Sequence, residues 1–172
     1  MKKAILLVTL TPILIFGFIF TYISSLSINE RIICSVDNNA FIIPKPLCKL
    51  YLYNFTSKND AKELDETYGL SYLFGTEDEF ERYEILDIFI RSGADIDKPS
   101  NVDGLTPINA AILFSDYKLV GYLIASGANL NIKDIQNNMN AFEYVIFLME
   151  KDSGRDREEI MKLISEYRLK ES

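Results

Sequence analysis

Apolar residues run unbroken by charge from Ala4 to Ile23, fall into short β-prone runs up to about residue 45, and from there recur every three to four positions to the C-terminus. Each regime predicts a different element. The first covers about 30 Å as a helix, the thickness of a bilayer core, and is expected to span a membrane. Lys2 and Lys3 precede it and no basic residue follows until Arg31, a bias that places the N-terminus in the cytoplasm and the rest outside. A cleaved signal peptide is the alternative, with small residues Ser25 and Ser27 near a cleavage position. Arg31 to Val36 and Ala40 to Ile43 flank the turn-like Asp37 to Asn39 and read as a small hairpin or extended arm.

The third regime predicts helices. Pro46 opens one that reaches Phe55, and Ser57 caps a second running from about Asn59 to Tyr68, stopped by Gly69. A brief apolar stretch to Gly75 follows, then a helix from Glu77 to Ser92 with acidic residues in its first turn and Gly93 beyond its end. Four more are expected at Thr106–Phe114, Asp116–Ser126, Met139–Lys151 and Arg155–Leu169, the last two parted by "DSG" at Asp152 to Gly154. The organisation is therefore residues 1–27 as anchor or signal, 28–45 as arm, and 46–172 as one all-α domain.

Composition narrows the chemistry. The chain has no His and no Trp, which excludes a Ser/His/Asp triad, a Cys/His dyad and a His-ligated zinc site. From residue 28 onward there are sixteen basic residues (18 less Lys2 and Lys3) and 25 acidic ones, a formal charge of −9. Nucleic acid is not an expected partner of such a surface. The acidic clusters Glu77-Asp78-Glu79 and Asp95/Asp97 read as helix starts and solvated loops, and aligning Gly104 with an EF-hand glycine puts Pro99 and Ala110 at ligand positions, so no metal or other cofactor is expected. Cys34 and Cys48 both lie beyond the apolar run and are expected to pair in an oxidising compartment, worth ~3 kcal/mol by chain entropy, the alternative being two buried thiols.

"RSGADID" at Arg91 to Asp97 is echoed by "ASGANLN" at Ala125 to Asn131, with Gly93 and Gly127 34 residues apart and each preceded by an apolar helix. A period in the thirties marks a stacked array. Here the chain resembles the ankyrin-repeat family, which runs turn, "G-x-T-P-L-H-x-A", inner helix, outer helix, "G-A-x-x-N". Gly104, Thr106, Pro107, Ile108 and Ala111 match the first part, with Asn109 in the His position; Val120, Leu123, Ile124, Gly127, Ala128 and Asn131 match the second. The resemblance implies a short ankyrin solenoid of about three to four helix-turn-helix units with degenerate caps, following one transmembrane helix and the arm. Asn109 departs from the family His, so its amide must replace the tie that the His makes between turns, or the tie is absent.

What the resemblance implies is a protein-binding module and not an enzyme, with no small-molecule substrate. The residues that such a repeat would expose to a partner are Lys98, Asn101, Val102, Asp103, Leu105 and Asn109, then Ser115, Asp116 and Tyr117, and in the next unit Lys133, Ile135, Gln136 and Asn137. Small exported ankyrin proteins with one N-terminal anchor resemble bacterial immunity proteins, which sit at the inner membrane facing the periplasm and neutralise secreted toxic enzymes such as type VI secretion phospholipases. That implies a secreted effector enzyme as partner and residues 4–23 in the inner membrane. A periplasmic scaffold for an endogenous enzyme is the alternative.

Overall fold

The computed structural model describes residues 2–151 and 157–171, of residues 2–13, 170 and 171 the backbone alone. The chain divides into two compact units, Met1–Asp60 and Ala61–Ser172. "DSG" at Asp152 to Gly154, and Arg155 at the expected start of the last helix, lie outside the described residues.

The first unit holds α1 (Lys2–Ser25), α2 (Ile28–Val36) and α3 (Lys45–Phe55). Residues 28–36, expected as an extended arm, are helical. The Ser27 amide donates to Glu30 Oε2 at 2.9 Å, the Ser–Glu pairing of a capping box, which starts a helix despite the β-branched content. Ile28 and Ile32 then fall on one buried face. Pairing Cys34 with Cys48 joins α2 to α3, with both Cα atoms 5.6 Å apart. The two half-cystines and Ile23 form a core, flanked by Ile19, Phe41, Ile43, Leu47 and Tyr51.

Among the described residues no helix is long and apolar enough to cross a membrane, which overturns the expected transmembrane helix over residues 4–23 and with it the single-pass inner-membrane placement. The side chains described on α1 begin at Leu14, and its last turns pack on protein. Ile23 is buried, and the Phe20 ring lies 4.9 Å from that of Tyr51 and 4.8 Å from that of Phe55. Between α1 and α3 a groove of about 290 Å³ remains, lined by Phe16, Ile19, Phe20, Leu47, Tyr51 and Phe55 among others.

In the second unit, after α4 (Lys58–Thr67), whose first residues belong to the first unit, three hairpins stack in two rows. The inner row is a 3-10 helix (Leu70–Gly75), α6 (Pro107–Phe114) and α8 (Ala141–Lys151). The outer row is α5 (Glu79–Arg91), α7 (Tyr117–Ala125) and α9 (Glu158–Glu171). Local chemistry sets the helix starts. Asp78 accepts from the Glu81 amide at 2.8 Å, Thr106 from Asn109 at 3.3 Å with Pro107 next, and Asp116 from Leu119 at 3.0 Å. Asn140 and Glu143 exchange amide bonds at the start of α8. Ala110 and Ala111 are fully packed on α6, the low surface that lets the rows approach.

Candidate interaction surface

The repeat is written in the backbone hydrogen bonds. Gly93 donates to Ile90 and Ala94 to Phe89; one repeat on, Gly127 donates to Ile124 and Ala128 to Leu123, and both glycines hold a φ near +98° (99° and 97°). The turns agree in the same way: Ser100 donates to the Leu105 carbonyl at 2.9 Å and Asp134 to that of Met139 at 3.0 Å. The second turn is hung on the first, since the Ile135 amide donates to the Gly104 carbonyl at 2.8 Å. Gly104, at φ +70°, lets the turns meet, because a Cβ there would lie 3.1 Å from the Gln136 nitrogen.

Side chains add a second set of ties. The Asp65 carboxylate accepts from the Asp95 amide at 2.9 Å, and Asp97 accepts from Asn129 at 2.8 Å. Burial pushes both carboxyls above their ordinary range, more than the amide bonds lower them. Asn109 is 0% exposed; its amide donates to Asp134 Oδ2 at 2.7 Å and to the Met139 carbonyl at 3.0 Å. The amide thus does substitute for the family His. Asp134 is itself buried and also accepts from the Asn137 amide.

The expected partner-binding residues separate into three groups. Leu105, 1% exposed, and Asn109 are interior, Leu105 as core and Asn109 as the inter-turn tie, and neither offers a surface; both are corrections to the expectation. On the turn edge lie Lys98, Asn101, Val102 and Asp103, with Lys133, Ile135, Gln136 and Asn137 beside them. Part of that edge is engaged: the Asn101 amide donates to the Glu66 carbonyl at 2.7 Å, Asp103 accepts from Leu105, and Lys133 pairs with Glu143 at 3.3 Å. Val102 and Ile135 stand out at 70% and 73% exposure. Ser115, Asp116 and Tyr117 lie at the other ends of the helices, where inner helix turns into outer. There Ser115 takes a left-handed φ of 58°, and Asp116 pairs with Arg82 at 2.9 Å while capping α7.

Asp134 is the residue that the sequence pattern did not single out. The available signal was complementarity: an amide donor in place of His calls for a carboxylate in the following turn, and Asp134 stands at its start.

Two rows of antiparallel hairpins, held turn to turn by backbone and side-chain bonds, define a helical-repeat stack whose function is carried on its surfaces. Residues 78–124, which hold α5, α6 and nearly all of α7, match the family model described as ankyrin repeats (many copies). The chain is also similar to the phosphocholine transferase AnkX of Legionella pneumophila, 35% identical over 78 residues. That match covers 45% of this chain and 8% of the relative, so the chain spans only a small part of that protein's length.

Proposed function

We propose that the chain is a protein-binding module that engages one partner through its turn edge and acts by covering it. The observation that carries this is the pair Val102 and Ile135, two large apolar side chains turned to solvent on adjoining turns that are fixed to each other through Gly104. Exposed apolar groups on a rigid backbone lose little entropy on binding, which is what an interface anchor requires. The partner is an enzyme that the stack inhibits sterically, a secreted toxic effector such as a type VI secretion phospholipase, with the chain as its immunity protein. The acidic surface, −7 overall, supports fast encounter with a basic partner, and the Cys34–Cys48 bond supports maturation in an oxidising compartment. The relative's transferase activity is not part of this reading.

The test is capture by the oxidised full chain from its own cells, followed by mass spectrometry and repeated with Val102→Ser/Ile135→Ser. A hydrolase held at equal stoichiometry by the wild type and lost by the variant is the expected result. Capture of a resident enzyme at the same site would favour the scaffold role instead, and a partner held equally by both proteins would remove the turn edge from the mechanism.

A further inference from the structure

The opposite edge of the stack carries its own exposed aromatics. Phe80 in the first turn of α5 is 70% exposed and Phe114 at the end of α6 is 59% exposed, with Tyr117 also open at the start of α7. Two ion pairs hold the starts of α5 and α7 side by side: Lys118 to Glu79 at 3.1 Å and Arg82 to Asp116 at 2.9 Å. Beside Tyr117 opens a groove of about 200 Å³, lined also by Glu159, Lys162, Leu163 and Glu166.

Charge selects the occupant. Arg82 and Lys118 are answered within this edge as above and Lys162 by Glu166 at 3.9 Å, while Arg157 is buried with its Nε donating to the Ile112 carbonyl. Among the described residues, Glu77, Asp78 and Glu159 form no ion pair. Asp78 is occupied in capping α5, which leaves Glu77, just before α5, and Glu159, in the first turn of α9, as surplus negative charge on this edge. An edge that carries exposed aromatics and surplus carboxylates is complementary to a basic amphipathic segment.

We infer that this helix-junction edge is a second docking surface, distinct from the turn edge, and that its occupant is a Lys- or Arg-bearing amphipathic helix of a protein partner. Apolar side chains of that helix cover Phe80 and Phe114. One of its basic side chains enters the groove with its stem along Tyr117 and Leu163 and its charge at Glu159, the ring of Tyr117 adding a cation–π contact.

The experiment is fluorescence anisotropy of the full chain with a labelled synthetic amphipathic helix of lysine and leucine, against the same helix with glutamate for lysine. The expected result is saturable binding of the lysine helix alone, weakened about tenfold or more in Phe80→Ser/Tyr117→Ser and in Glu77→Gln/Glu159→Gln, and unchanged in Val102→Ser/Ile135→Ser. All of these positions are on the surface, and circular dichroism checks that each variant keeps its helix content. No binding by the wild type, equal binding by all variants, or loss confined to the turn-edge variant would each overturn the inference. The last would leave the turn-edge reading intact, so the two proposals fail separately.

Discussion

Asn109 and Asp134 meet inside the repeat stack, the amide of one donating to a carboxylate oxygen of the other at 2.7 Å with both side chains out of contact with water. A neutral donor here does the work of a ring nitrogen, and it leaves a buried carboxylate dependent on it. Asn109→Ala is therefore expected to lower stability by about 2–3 kcal/mol, the range for stranding a buried acceptor, read as a fall in urea midpoint. Adding Asp134→Ala should recover part of that loss, and a double-mutant cycle showing simple additivity would refute the coupling.

Gly104 and Gly127 separate two effects that a glycine can have. Both hold positive φ, but only at Gly104 does an added Cβ meet backbone, the Gln136 nitrogen at 3.1 Å, whereas nothing lies within 4 Å at Gly127. Gly127→Ala should cost about 1–2 kcal/mol for the left-handed backbone alone. Gly104→Ala should cost more, because the turns must also part, and hydrogen exchange at the Ile135 amide should rise in Gly104→Ala only.

The buried carboxyls make stability depend on pH in a definite sense. Asp65 and Asp97 titrate above their ordinary value in the folded chain because burial disfavours the charged form. The folded state therefore holds these protons more tightly than the unfolded one, so their contribution improves as pH falls through the folded values and is complete below the unfolded value. Asp65→Asn keeps an acceptor for the Asp95 amide without the charge. Its urea midpoint should exceed that of the wild type at neutral pH, with the difference shrinking as the solution becomes acidic; a constant difference would show that charge is not the cause.

The disulfide acts on the first unit. With both half-cystines buried, reductant should leave the native chain oxidised over times that suffice in denaturant. Cys34→Ala/Cys48→Ala should lose ~3 kcal/mol of stability, less any relaxation of the core. Calorimetry should place that loss in the transition of the first unit and leave that of the repeat stack in place, and a shift of both together would contradict the division at Asp60.

Much of the second unit could be read from punctuation. Gly93 and Gly127 mark helix ends at positive φ, and Thr106-Pro107 begins α6 where cap chemistry requires. The first unit resisted because composition and local capping disagreed: isoleucines suggested strand, while Ser27 and Glu30, three apart, carried the stronger signal for α2. The apolar run of α1 spoke only of hydrophobicity, and nothing along the chain announced that Phe20 and Ile23 would pack against α3. For the binding surface, repeat logic located the turns but not the burial within them. Leu105 and Asn109 point inward because the following turn covers them, a fact of stacking that a single repeat cannot display.

The backbone amides that tie one turn to the next run one way, while the Asn109 side chain runs the other, donating forward to Asp134 and Met139. Asp65 receives the amide of Asp95, Asp97 receives that of Asn129, and the Gly104 carbonyl receives that of Ile135; each acceptor precedes its donor in the chain. On a ribosome, then, the acceptor for each of these three amides has been made before the amide emerges. The backbone of the stack can close turn by turn in the order of its synthesis, while the Asn109 amide waits for the next turn to supply its acceptors.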